Sequence, residues 1–115
     1  MIDLSKLKAL ELPTKEIEID ILGETQKITI TAMSDDIFLD FRDIKKSSDI
    51  YEVKQRKLAL IRCAGMTEED ADILCAKSGE TAAFIIGEIL ELTDKFEKAK
   101  SDITAEAKKK VNLKD

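Results

Sequence analysis

With 115 residues, of which 43% are hydrophobic, 37% charged and only 4% aromatic, the chain predicts one domain whose core is built mainly from Ile, Leu and Ala. It contains no histidine, which removes the commonest general base and the commonest neutral metal ligand, and its formal net charge is −5. These values exclude most hydrolase and zinc-binding functions and disfavour nucleic acid as a partner. They predict a protein that is not an enzyme and uses no cofactor or metal.

The N-terminal segment 1–14 is interpreted as an extension of the domain. Leu4, Leu7 and Leu10 fall at helical spacing, but Pro13 disfavours a helix at the residue before it. A short helix and an ordered extended segment both stay open. The segment lacks the apolar run of a signal peptide, and no stretch of the chain reaches the roughly 18 apolar residues of a membrane helix. We therefore expect a soluble, cytoplasmic protein without a membrane partner.

Residues 15–32 carry the most regular pattern of the chain. Two runs alternate isoleucine with polar residues, which predicts two half-buried antiparallel strands. A two-residue turn at Gly23 and Glu24 is predicted, because Gly can supply the positive φ that such a turn needs. The resulting opposite pairs are Ile19 with Ile28, Ile17 with Ile30, and Asp20 with Lys27. The hairpin then presents one isoleucine ridge that other elements must cover.

Helix start and stop signals divide the rest of the domain, residues 34–100, into about four helices. Ser34 and Thr67 each precede acidic residues, the pattern of an N-cap followed by carboxylates in the first turn. Gly65 and Gly79 are placed to end the helices before them. The predicted helices begin near positions 35, 50, 68 and 80. The predicted fold class is α+β, with an N-terminal antiparallel β-hairpin packed on a cluster of about four α-helices.

The last predicted helix is apolar on more than one side between Ala82 and Leu92. Two interpretations stay open: a central helix surrounded by the other elements, or a helix that keeps part of this surface exposed for a partner or for self-association. The two uses can coexist on opposite faces. The residues that we predict to bind a partner follow helical spacing and are Ile85, Ile86, Ile89, Leu92 and Phe96.

The remaining candidate sites have simpler structural explanations. Cys63 and Cys75 lack a CxxC spacing, so we predict two buried, reduced and inert thiols. The acidic runs 35–36 and 68–70 sit where helix starts favour carboxylates, and neither matches a calcium-binding loop. Residues 94–115 hold seven Lys against five acidic residues, so their net charge is +2. Because the periodicity is weak there, residues 101–115 are predicted to form a basic, mobile tail.

Several segments, in their order and spacing, resemble the tail assembly chaperones of long-tailed bacteriophages and prophages. They are LKALELPTKEIEIDILGE, an Ile/Thr strand, SDDIFLDF, LALIRCAGMTEEDADIL and FIIGEILELT, and the resemblance covers roughly residues 7–96. In that family a small α+β protein opens with Leu-Pro-Thr and a hairpin of charged and aliphatic alternation. It continues into helices that include a Gly followed by a short helix with an acidic cap.

The resemblance implies a morphogenesis factor in the cytoplasm of the bacterial host, absent from the mature virion. Its implied partners are the tape measure protein, which the chaperone coats, and the tail tube protein, which it helps to recruit. Many members also make a longer product by ribosomal frameshifting, and the Lys108–Lys110 run is compatible with an adenine-rich slippery site. Homo-oligomerisation stays open.

Two other functions compete with the chaperone. A small cytoplasmic adaptor or regulatory module would use the same apolar helix for a different partner. A structural tail component would be present in purified particles, whereas a chaperone would not. An enzyme is disfavoured by the absence of histidine and the scarcity of aromatic residues.

Overall fold

The structure is a computed structural model that describes residues 2–44 and 51–112, with only the backbone at position 7 and at positions 103–112. Within these ranges the chain forms a two-stranded antiparallel sheet and five helices, and the α+β prediction is confirmed. The elements in chain order are α1 (Ser5–Ala9), β1 (Thr14–Ile21), β2 (Glu24–Thr31), α2 (Asp35–Asp43), α3 (Tyr51–Cys63), α4 (Glu68–Lys77) and α5 (Gly79–Asn112). The N-terminal segment thus contains a short helix.

The hairpin turn is formed by Leu22 and Gly23, one residue earlier than predicted. Both residues have positive φ, 51° and 84°, as a type I′ turn requires. The predicted register was therefore wrong by two residues: the opposite pairs are Ile17 with Ile28, Ile19 with Gln26, and Asp20 with Thr25. Because side chains alternate with a period of two, this shift leaves the same isoleucines on the buried face.

Helix α5 is the central element of the fold. The hairpin packs against it, α3 and α4 also pack against it, and α2 packs on α3. The fully buried side chains of the core come from all these layers; the largest are Ile30, Met33, Leu60, Ile85, Ile89 and Cys63. The core is aliphatic, as the composition predicts.

The exit of the hairpin is fastened to α5 by a buried threonine. The Thr93 hydroxyl accepts a hydrogen bond from the Met33 backbone N–H at 3.0 Å and donates one to the Ile89 carbonyl at 2.8 Å. Thr93 is only 3% exposed, so these bonds satisfy groups that water cannot reach. The base of the hairpin is closed by a backbone bond from the Ala32 N–H to the Pro13 carbonyl.

The predicted N-caps at Ser34 and Thr67 are confirmed, whereas Gly79, which was predicted to end the helix before it, instead begins α5, and the C-cap of α4 is Ser78. The Ser34 side chain accepts from the Ile37 N–H, and the Thr67 side chain accepts from the Asp70 N–H at 3.1 Å. Gly65 has φ +67°, and beyond it the Met66 N–H bonds the Leu60 carbonyl at the end of α3.

The end of α5 differs from the prediction that helices stop near residue 100. The helix has 34 residues and continues to Asn112, a length of about 50 Å at 1.5 Å per residue. The reason is composition: Ala, Glu and Lys, which dominate residues 105–110, have high helix propensity, and no Gly or Pro interrupts them. Whether residues 101–115 are mobile stays a prediction, and positions 113–115 lie outside the described residues.

Candidate functional site

The five residues predicted to bind a partner lie mainly in the core. Ile85 and Ile89 are fully buried, and Ile86 and Leu92 are at most 8% exposed. Phe96 is half-buried against the same core. Of the two interpretations of this stripe, the structure matches the central helix surrounded by other elements, because the hairpin, α3 and α4 cover α5 from different sides. Whether a partner ever reaches these side chains stays a prediction. In the folded domain they pack in the hydrophobic core.

An open groove lies on a different part of the molecule, between the turn end of the hairpin and α4. It has a volume of about 460 Å³, within the range of ligand-binding clefts. The sheet face, α4 and the loop between α3 and α4 form its walls. It is lined by Ile19, Ile21, Gln26, Ile28, Ala64, Gly65, Met66, Asp70, Ile73, Leu74, Lys77 and Ser78.

The floor of the groove follows directly from the alternation of the strands. Ile19, Ile21 and Ile28 point to the same face of the sheet as the core isoleucines. Ile19 is buried, whereas Ile21 and Ile28 are only half-buried. The ridge of the hairpin is therefore longer than the part that the helices cover, and its turn end stays partly open.

The opposite wall is α4, whose direction is set by its cap and by an ion pair. Thr67 starts the helix directly after the turn at Gly65. The Lys57 ammonium on α3 lies 2.5 Å from the Asp72 carboxylate on α4 and 4.0 Å from Glu68. The hydrogen bond to Asp72 raises the pKa of Lys57, which favours the charged form of its ammonium group. These contacts hold α4 against α3 and leave its other side facing the hairpin.

Ile73 is the most exposed large apolar side chain of the groove. It is 51% exposed, although its neighbour Leu74 is packed into the core at 8%. Consecutive helical residues point about 100° apart, so one helix can bury Leu74 and present Ile73 to the groove. Met66 and Ile21, both half-buried, extend this apolar surface.

The two ends of the α4 wall carry opposite charges. Asp70 lies in the first turn and Lys77 in the last, and both line the groove with exposed side chains. Neither forms an ion pair with another residue of the described ranges. The groove is thus apolar in the middle and charged at both ends.

Potentially nucleophilic groups of this region include the Ser78 hydroxyl and the thiols of Cys63 and Cys75, which neighbour lining residues in sequence. The Ser78 hydroxyl is hydrogen-bonded to Thr81 at 2.7 Å. Cys63 and Cys75 are free thiols, buried and half-buried, and burial raises the pKa of each, so both stay protonated near neutral pH. No group of three or more metal-ligating side chains is found among the residues that the structure describes.

A second, smaller depression lies beside the first turn of α5. It has a volume of about 230 Å³ and is lined by Glu18, Ile19, Asp20, Glu80, Thr81 and Phe84. Three of these residues are acidic, and the 49% exposed ring of Phe84 is its main apolar surface. Its apolar lining thus consists of Phe84 and the buried Ile19, whereas the groove is lined by several aliphatic side chains.

Only an indirect signal for the groove is present in the sequence. Ile73 and Met66 are visible as apolar residues near a capped helix, but nothing local separates Ile73 from the buried Leu74. The groove is formed by residues more than forty positions apart in sequence, such as Ile21 and Ile73. Only the packing of the hairpin and α4 on the same central helix brings them together.

Comparisons of the chain with protein-family models, with curated proteins and with solved structures found no match. Among the helices of the described ranges, none combines the length and the apolar character that crossing a membrane requires.

Proposed function

We propose that this protein is a non-enzymatic phage tail assembly chaperone that binds apolar helical segments of the tape measure protein in the groove between the hairpin and α4. The observation that carries the proposal is the groove itself: an open aliphatic surface on a chain in which 37% of the residues are charged. Exposed apolar surface of this kind is typical of interaction sites. The resemblance of residues 7–96 to the chaperone family supports the choice of partner.

A helix is the partner that such a groove can bind at low cost. All backbone groups in the middle of a helix are already hydrogen-bonded, so an amphipathic helix can lie on an apolar surface without leaving donors or acceptors unpaired. Side chains at spacings of three and four residues would fill the space around Ile73. The negative net charge of the chaperone would keep the covered complex soluble.

A very long helical partner can be bound by many copies even if the affinity of each single groove is low. Several copies on one tape measure chain would raise each other's effective concentration, so a modest affinity per groove is sufficient. Recruitment of tail tube subunits, action in the host cytoplasm and absence from the finished virion belong to the same proposal.

Co-expression tests the proposal. The probe is the product of the longest open reading frame beside this gene, expressed with and without the chaperone and scored for copurification and solubility. We expect a soluble complex with the chaperone and aggregation of the long protein without it. A long protein that is soluble alone and does not copurify would contradict the proposal and favour an adaptor. Detection of the chain in purified particles would favour a structural tail component.

A further inference from the structure

We infer that the groove, given the proposed function, binds a partner helix preferentially in one direction, antiparallel to α4. The helix would place a basic residue of its C-terminal end near Asp70 and an acidic residue of its N-terminal end near Lys77. The inferred partner is thus an amphipathic helix with an apolar stripe and opposite charges at its two ends. The inference rests on the proposed function for the location of the site and adds the polarity of the ligand.

The geometry of α4 provides the charge pattern. Asp70 and Lys77 are seven residues apart, two turns of one helix, so both lie on the side that lines the groove. Their backbone positions are separated by about 10.5 Å along the helix axis. Ile73 lies between them, so the apolar contact and the two charged contacts fall on one line.

Both charges are available to a ligand. Their side chains are exposed, and neither takes part in an ion pair within the described ranges. The other charged pair at α4 behaves differently, because Asp72 is held by Lys57 of α3 on the side away from the groove. The structure therefore distinguishes one charged pair that fixes α4 from two charged side chains that face the groove.

The helix dipole explains why an acidic residue begins α4 and a basic residue ends it. The same rule applies to the partner, since helices commonly carry acidic residues in the first turn and basic residues in the last. An antiparallel arrangement brings the acidic start of the partner to Lys77 and its basic end to Asp70. In a parallel arrangement both ends would repel.

The test uses a synthetic amphipathic helical peptide with Glu in its first turn, Lys in its last turn and leucines at positions i, i+3, i+4 and i+7. A nitroxide label on its basic end broadens the amide NMR signals of nearby residues in the ¹⁵N-labelled full-length protein. We expect stronger broadening near Asp70 than near Lys77. In the double variant Asp70→Lys, Lys77→Glu, we expect the pattern to reverse.

Matched controls separate the inference from the proposed function. A peptide with Gln at both ends should bind about two- to fivefold more weakly at low salt, because each exposed ion pair contributes little, and this difference should vanish near 0.5 M salt. The milder variant Asp70→Asn, Lys77→Gln should bind the peptide in both directions. Broadening at the same end in every variant would contradict the inferred direction of the partner helix but would still support the groove as the binding site. Absence of binding, or broadening only around Phe84, would also contradict the proposal that the groove is the binding site.

Discussion

The two ends of the hairpin differ in how far the helices cover them. At its base, Ile30, Ala32 and Met33 are fully buried, and the Met33 N–H is bonded to Thr93. At its turn, Leu22 is fully exposed in a left-handed conformation, and the adjoining Ile21 is half-buried beside the groove. The alternation of side chains is the same along both ends, so the difference comes from what the helices cover.

This comparison separates stability from binding. Side chains at the covered end and on the central helix hold the domain together, and their removal leaves cavities or unpaired polar groups. We expect the exposed side chains at the open end and on the facing side of α4, such as Ile73, to contribute little to stability. Their substitution is therefore expected to change the affinity for a partner without unfolding the domain. Each variant below tests whether residues of the core and residues of the groove differ in their contribution to stability.

The largest expected effect comes from two isoleucines on neighbouring helices. Ile89→Ala should lower the free energy of unfolding by about 3 to 4 kcal/mol, because a fully buried aliphatic side chain leaves a cavity. Ile73→Ala should lower it by less than about 1 kcal/mol, since half of that side chain already contacts solvent. Urea unfolding followed by circular dichroism measures both. Equal losses would contradict the division between core and groove.

A smaller loss is expected at the base of the hairpin. Thr93→Val keeps the shape of the side chain but removes the oxygen that accepts from the Met33 N–H, so a buried donor loses its partner. We expect a loss of about 1 to 3 kcal/mol in the same unfolding experiment. Thr93→Ser, which keeps the hydroxyl, is the control and should lose less. If Ser proves as harmful as Val, the hydrogen bonds are not the cause.

At the hairpin turn we expect a substitution that raises the free energy of unfolding. Leu22→Asn creates Asn-Gly, the preferred pair for a turn with two positive φ values, and should raise the free energy of unfolding by about 0.5 to 1 kcal/mol. Leu22→Val is the control and should destabilise, because β-branched residues are poorly suited to positive φ. A stabilised Val variant would show that Leu22 does not have the left-handed conformation.

The smallest effect concerns the ion pair between α2 and α5. Lys100 lies 2.7 Å from both Asp35 and Glu97, with its ammonium 4.7 Å from the centre of the Phe96 ring. The hydrogen bond from Lys100 lowers the pKa of Asp35 from its usual value of 3.8. Burial disfavours the charged form of Lys100, but the hydrogen bonds to Asp35 and Glu97 outweigh it and raise the pKa of Lys100.

The sign of the pH dependence follows from these directions. A carboxyl whose pKa is lower in the folded state stabilises the fold above pH 3.8, and this contribution is lost as the pH falls through the folded value. Asp35→Asn should therefore cost less than about 0.5 kcal/mol near pH 7, since the carboxylate is largely exposed. The difference from wild type should disappear at the acid end of a pH series of thermal unfolding. Asp36→Asn, which leaves the Lys100 pair intact, is the control.

Local signals in the sequence predicted the elements well. The alternation of isoleucines fixed the buried face of both strands, and the capping patterns at Ser34 and Thr67 placed two helix starts. The register was missed because cross-strand matching of isoleucines favoured a turn with Gly in first place. The observed turn instead places Leu22 where Leu is intrinsically disfavoured, and one facing pair of isoleucines, Ile17 with Ile28, is formed in place of the two that were predicted.

The candidate site could not be predicted from local sequence patterns. The apolar excess of α5 was recognised, but sequence periodicity cannot say whether an apolar stripe is covered by the rest of the chain. Here it is covered, and Ile89 lies at the centre of the core. The groove around Ile73 depends on how far the hairpin ridge extends past the helices, which is a property of the packed domain.

The central claim is that the groove, and not the stripe of α5, binds the partner. It is tested most directly by copurification of the tape measure candidate with Ile73→Lys and with Val53→Lys. Both positions are similarly exposed on helices, 51% and 44%, but Val53 lies on α3 and does not line the groove. We expect Ile73→Lys to lose the partner while staying folded, and Val53→Lys to retain it. Retention of the partner by a folded Ile73→Lys protein would contradict the account.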